Sequence, residues 1–174
     1  MNVPVVETAR LILRGYSRAD FEDYAALWSD PVVMAHMQGS IPKSQDEAWT
    51  SFLRTAGHWQ ILGYGSWAIE EKTSGKYVGG AGFHQHGFDR GEELRGVPGM
   101  GWWLLPTAFG KGYGTEAVLA ALEWGRNFFG SVRVTALTAP ENFASINVAR
   151  KCGFVEYRRA LSLGREMVFF ERML

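Results

Sequence analysis

Leu105-Pro106-Thr107-Ala108-Phe109-Gly110-Lys111-Gly112-Tyr113-Gly114-Thr115-Glu116 joins an apolar strand to an amphipathic helix through a turn with three alternating glycines. Glycine lets the main chain turn tightly and approach a ligand closely. The first turn of the helix adds unpaired N–H groups and a positive dipole end, which attract phosphate oxygens. The stretch reads as an anion cradle and points to a phosphorylated ligand. Its spacing fits neither the nucleotide-hydrolase loop G-x-x-x-x-G-K-S/T nor the dinucleotide fingerprint G-x-G-x-x-G. From the glycines alone, a strand-to-helix turn that binds nothing stays open.

Working outward, the helix after this turn places Ala117, Ala121, Trp124, Gly125 and Phe128 on one face at helical spacing. Two earlier segments carry helix-start signals. Ser17 with Asp20 precedes Phe21, Tyr24, Ala25 and Trp28, and Ser44 with Glu47 precedes Trp49, Phe52, Leu53 and Ala56. Strands fill the gaps. Trp67 and Ile69 alternate with Ser66 and Glu70, Val132, Val134 and Ala136 alternate with Arg133 and Thr135, and Arg165 to Glu171 reads as an aromatic-rich closing strand. Ser74-Gly75-Lys76 is a turn between strands. The segment from His84 to Gly99, with Gly87, Gly91, Gly96 and Pro98, reads as a long loop. This mixture of helices and strands predicts an α/β (α+β) sheet packed by helices.

A second segment, Asn142-Phe143-Ala144-Ser145-Ile146-Asn147-Val148-Ala149-Arg150-Lys151-Cys152-Gly153-Phe154, follows a strand-like run and ends in a helix stop at Gly153. Together the two segments resemble the coenzyme A binding core of the GNAT N-acetyltransferases, specifically the branch that acetylates ribosomal-protein N-termini. The family's Q/R-x-x-G-x-G/A motif matches Phe109 to Gly114. Its N-x-x-S/A and K-x-G-F motifs match Asn142, Ser145, Lys151, Gly153 and Phe154. The resemblance covers most of the chain. Glu7 to Arg14 looks like the opening strand, Trp67 to Glu70 and Tyr77 to Phe83 like the second and third, and Gly101 to Pro106 like the fourth. It implies the GNAT-like acyl-CoA N-acyltransferase fold, with a mixed, mostly antiparallel central sheet and helices on both faces.

Composition fits one catalytic domain spanning residues 1–174, a length able to bury a substantial core. The 18 Lys+Arg balance 18 Asp+Glu, which disfavours nucleic acid as a primary partner. The start, Met1 to Glu7, lacks a signal-peptide pattern and no apolar run suits a membrane span, so a cytoplasmic protein is expected. Cys152 is the one cysteine, which excludes an intrachain disulfide and a cysteine-rich metal site; its expected role is buried packing. A homodimer is compatible with the aromatic content, but no residue identifies the contact.

The resemblance implies transfer of an acetyl group from acetyl-CoA to a primary amine, on a protein N-terminus or a small molecule, by direct attack in a ternary complex. Main-chain groups of Phe109, Gly110, Lys111, Gly112, Tyr113, Gly114 and Thr115 would hold the pyrophosphate. Phe109 stands where many relatives have Gln or Arg, and Lys111 either adds charge or is a solvated helix-start lysine. Trp103, Leu104 and Leu105 would pair through their backbone with the pantetheine arm, the strand splaying there to open a slot. Trp102 and Trp103 also read as core. Asn142 is a pantetheine contact or a turn residue. Ser145 is an acid for the departing thiolate or an ordinary N-cap, and the tyrosine used by other branches is replaced by Ala149.

The family's glutamate before the fourth-strand glycine is absent from Pro98-Gly99-Met100-Gly101. His84 is the first candidate base, with Glu70, His86 and Glu93 behind it and water as an alternative. The His84 to Gly99 loop, with Asp89, Glu92 and Glu93, faces the acceptor or is a plain surface loop. Trp28, Trp49 and Trp59 line a pocket or the core. A catalytically weak acyl-CoA binding or sensor domain and a structural domain with an empty glycine turn complete the set of readings.

Overall fold

The computed structural model describes residues 2–37, 41–87, 91–162 and 164–174. Eight strands form one sheet: β1 (Val6–Glu7), β2 (Leu11–Arg14), β3 (Ser66–Glu71), β4 (Lys76–Gln85), β5 (Pro98–Leu104), β6 (Arg133–Thr138), β7 (Val155–Ser162) and β8 (Arg165–Met173). Their spatial order is β1-β2-β3-β4-β5-β6-β8-β7, and every neighbouring pair is antiparallel except β5 with β6. This is the mixed, mostly antiparallel sheet expected from the sequence. The helices are α1 (Phe21–Ser29), α2 (Pro31–Met34), α3 (Gln45–Leu62), α4 (Tyr113–Phe129) and α5 (Phe143–Lys151).

The main core lies between the sheet and the pair α4 and α5. Ala117, Val118, Ala121 and Leu122 of α4 and Ile146 and Ala149 of α5 meet Leu13, Trp67, Phe83, Met100, Val134 and Phe170 of the strands. Trp67, Phe83 and Leu13 are fully buried, which makes them major hydrophobic contributors. The other helices build separate clusters. Phe21 and Tyr24 of α1 pack on Ala48 and Phe52 of α3, and Leu27 and Val33 pack on Ala68 and Tyr77 of the sheet. Trp49 joins the first of these clusters and Trp59 joins the main core, so both are packing residues.

Both helix-start signals hold. Ser44 and Glu47 form a reciprocal cap, with Ser44 N donating to Glu47 Oε2 at 2.8 Å and Glu47 N to Ser44 Oγ at 3.3 Å. Ser17 donates its main-chain N–H to Asp20 Oδ2 at 2.7 Å, at the head of a short 3-10 turn that leads into α1.

Four expectations change. The opening segment is a hairpin rather than one strand, because Thr8 closes a turn by donating its main-chain N–H and hydroxyl to Leu11 O. The loop after the third expected strand is shorter, since β4 runs through Gln85 and β5 starts at Pro98; Asp89 lies outside the described residues. Strand β7 pairs along β8 and adds a further hairpin. Phe128 is half exposed and stacks on Trp124 at 4.8 Å instead of entering the core, where the neighbouring Phe129 packs on Phe83 in its place.

Glu70 is held in a charged network at the β2–β3 edge. Arg14 gives Nε to Glu70 at 2.6 Å and both terminal nitrogens to Asp20 at 2.8 Å. Burial opposes the Asp20 charge, but the Arg14 fork and the Ser17 N–H outweigh it and hold the carboxyl below its ordinary value. A depressed folded-state value contributes stability that is present above the unfolded value of about 4 and is lost as pH falls through the folded one. Asp20→Asn should therefore lose about 1–3 kcal/mol at neutral pH and flatten the fall in stability below about pH 4. Denaturant titrations of both proteins between pH 3 and 7 check this; parallel curves would remove Asp20 as the source.

Candidate active site

The glycine turn departs from β5 through a 3-10 turn, Pro106–Ala108, closed when Phe109 N donates to Pro106 O. Gly110 and Gly112 have φ of +73° and +80°, a region in which other residues are strained, so two of the three glycines are required by the backbone path. The third serves packing: a Cβ on Gly114 would already touch Val148 Cγ2 of α5 at 3.4 Å. The first N–H of this helix with a partner is that of Glu116, which donates to Gly112 O at 3.1 Å. Among the described residues, the main-chain N–H groups from Gly110 to Thr115 have no acceptor. Six consecutive unpaired donors at a helix N-terminus are an arrangement suited to an anion.

Residues distant in sequence hold this turn in shape. Glu116 accepts from Thr8 Oγ1 at 2.6 Å, Arg10 N at 2.9 Å and Arg10 Nε at 2.7 Å, while Arg10 Nη1 donates to Lys111 O at 2.9 Å. Lys111 points its ammonium toward Glu71, 3.8 Å away, and Tyr113 donates its hydroxyl to the same carboxylate. Arg10 has no sequence signal for this role, because the hairpin that delivers it was read as one strand.

Strands β5 and β6 touch at a single register pair, Gly99 with Thr135, and then diverge. This is the splay implied by the resemblance. Leu105 N donates to Val78 O at 2.9 Å, so the period of two directs the Trp103 and Leu105 N–H groups toward β4. The groups left facing the gap are those of Trp102 and Leu104. Of the three fourth-strand residues expected to meet a ligand through their backbone, Leu104 alone presents its N–H there, and Trp102 is the addition.

The gap opens into a cleft of about 750 Å³ lined by Met100 to Trp103 of β5, Leu137 and Thr138 of β6, Asn142 and Ser145 of α5, and residues from α1 to α3. Asn142 is the N-cap of α5 and its Oδ1 accepts from Ser145 N at 3.0 Å. Ser145 is thus the third residue of the helix and not its cap. Its hydroxyl has no partner among the described residues, and the residue lines the cleft.

His84 also lines the cleft, opposite Gly99 in the β4–β5 ladder. A Cβ on Gly99 would come within 2.7 Å of His84 Cε1, so the imidazole occupies the space beside Gly99 that a side chain there would fill. Its ring meets that of buried His86 edge-on at 5.1 Å, and His86 Nε2 lies 2.7 Å from Thr135 Oγ1. The structure does not bring Glu70 to this place, since it faces Arg14. Glu93 pairs with Arg158 at 2.8 Å, also away from the cleft lining. Cys152 is buried, and burial pushes its thiol up to about 11, which leaves it a packing residue.

The far wall carries residues that sequence reasoning missed, namely Lys43, Ser51, Arg54, Thr55 and His58, and also Trp28, one of the three tryptophans offered for a pocket or the core. A signal was present. Ser51, Arg54, Thr55 and His58 recur at helical spacing and form a polar stripe on α3 that flanks its apolar face, with Ser51 buried.

The acetyltransferase (GNAT) domain model matches residues 10–155. The Bacillus subtilis protein YkkB is 28% identical over 151 residues, covering 86% of this chain and 83% of its own. A solved protein assigned to the GNAT acetyltransferases from Bordetella pertussis is 27% identical, with 98% of this chain and 99% of that one aligned and a TM-score of 0.85. The ribosomal-protein-S5-alanine acetyltransferase from Vibrio fischeri shares the fold at 17% identity, with a TM-score of 0.72 over 98% and 97% of the two chains. Given a family match over most of its length and a cradle, splay and cleft in the arrangement described, the chain belongs to the GNAT family of acetyltransferases.

Proposed function

We propose that this protein transfers the acetyl group of acetyl-CoA to a primary amine by direct attack in a ternary complex. The observation that carries this reading is the succession, along one stretch of chain, of an open β5 edge that lines the cleft and six unpaired N–H groups at Gly110 to Thr115. Acetyl-CoA supplies the activated thioester. The N–H groups of the cradle bind its pyrophosphate, and those of Trp102 and Leu104 orient the pantetheine arm and polarise the acetyl carbonyl. Phe109, expected to join the cradle, adds no donor to it, as its main-chain N–H is committed to Pro106 O and its half-exposed ring carries no charge.

His84 accepts the ammonium proton of the acceptor, directly or through water, and β4 holds it beside the reacting edge. Ser145, with an uncommitted hydroxyl at the same cleft, donates a proton to the departing thiolate. Asn142 holds the first turn of α5 so that this hydroxyl faces the cleft.

Calorimetric titration with acetyl-CoA, with NAD and ATP as controls, tests the reading. Selective binding followed by amine-dependent thiol release supports it, and no binding by a folded sample overturns it. Ser145→Ala should lower turnover about tenfold or more while the acetyl-CoA dissociation constant stays within about twofold. An unchanged turnover per folded molecule would reduce Ser145 to a helix residue.

A further inference from the structure

The cleft wall opposite β5 is charged in one sense. Lys43, Arg54 and His58 line it, and no lining residue among those described is Asp or Glu. Arg54 and His58 are four apart on α3 and so share a face. Lys43 Nζ donates to Ser51 Oγ at 2.9 Å and sits 4.1 Å over the Trp28 ring, and no carboxylate among the described residues pairs with Lys43 or Arg54. Glu47, an acid whose charge is felt by Lys43, is committed to capping α3 through Ser44. Burial and the neighbouring Arg54 both pull the Lys43 and His58 values down, so these positive groups oppose one another. In a chain of zero formal net charge, such a cluster is a local imbalance, not a general basic surface.

A neutral donor lies beside the same space. The buried Trp28 Nε1 has no partner among the described residues, and Trp28 lines the cleft. Its ring lies 5.8 Å from that of Trp103 on β5, so the cationic wall is one aromatic pair away from the edge where the thioester would react. The anion cradle at Gly110 to Thr115 is not part of this lining, so the cluster is separate from the pyrophosphate site.

We propose that the acceptor is a small primary amine carrying an anionic group, a carboxylate or phosphate, that is held by Lys43, Arg54 and the Trp28 indole N–H while the amine points to β5. This rests on the transferase reading and narrows it. Such an anion supplies the missing counter-charge, whereas polyamines and aminoglycosides add like charge to the wall. A cleft of about 750 Å³ suits a small molecule beside the pantetheine end.

The test uses protein shown by calorimetry to bind acetyl-CoA. Thiol release is compared for 4-aminobutyrate, 2-aminoethyl phosphate, 4-aminobutanamide, 1,4-diaminobutane and a neutral peptide with a free N-terminus. The expected result is at least about tenfold higher kcat/KM for the two anionic amines than for the others. Lys43→Met and Arg54→Gln should collapse that preference while acetyl-CoA affinity is retained. Equal rates, or a preference for the diamine or the peptide, overturn the proposal and leave the transferase reading in place. If no amine reacts, a histidine NMR titration decides: 4-aminobutyrate should raise the His58 value, and no change overturns the proposal.

Discussion

Gly112→Glu should weaken acetyl-CoA binding about 100-fold or more while the protein stays folded. Gly112 caps α4 with φ of +80°, so any side chain there costs about 1–3 kcal/mol of backbone strain. The glutamate also brings negative charge to the six N–H groups that would receive phosphate, worth roughly 1–4 kcal/mol at contact distance near a surface. Arg10 cannot simply absorb it. Although its Nη2 would lie 3.5 Å from the new Cβ, its guanidinium is engaged by Glu116 and by the Lys111 carbonyl. Gly112→Ala separates the two effects, since it keeps the strain and omits the charge. Calorimetry on both variants checks the reading, and unchanged affinity in the glutamate variant would detach the turn from the ligand.

A second large effect is expected in stability. Gly79 of β4 has φ of +153°, and a Cβ there would overlap the main-chain carbonyl oxygen of Trp103 and lie 2.8 Å from Leu104 Cα. Main chain cannot move aside as a flexible side chain does, so Gly79→Ala must open the β4–β5 ladder. The expected loss is about 3 kcal/mol, or about 10 °C in Tm for a chain of this size. Gly75 is the control: its φ is +66°, but nothing lies within 4 Å of a Cβ built on it. Gly75→Ala should shift Tm by only a few degrees. Equal shifts in the two variants would show that strain alone, and not the collision, sets the cost.

What the sequence made legible follows from how local each signal is. The cap at Ser44, the apolar face of α4 from Ala117 to Gly125 and the glycine turn are written within a few residues, and each is found where its pattern places it. The family motifs place Asn142 and Ser145 at the cleft, but not their division of labour. Which of the two caps α5 depends on where the helix begins, and that shifts easily by a few residues. Glu70 was a reasonable candidate as a strand carboxylate, yet its partner Arg14 is 56 positions away, and only strand pairing brings them together. The cationic wall was missed for a related reason. Lys43 stands before α3 and Arg54 and His58 stand on it, and an overall count of charges averages them away.

The single β5–β6 register pair gives the sheet a seam. Five strands lie on one side and three on the other, and among the described residues no strand-to-strand ladder couples the two plates past Gly99 and Thr135. A pantetheine arm along β5, with its thioester end near Asn142 and Ser145, would bridge them in place of the missing rungs. The donor then acts as a removable strand: at a concentration of about 100 times its dissociation constant it contributes about 2.7 kcal/mol to the folded state. Stability and catalysis would draw on the same wedge, so the gap that admits the donor is also the part of the sheet that the donor mends.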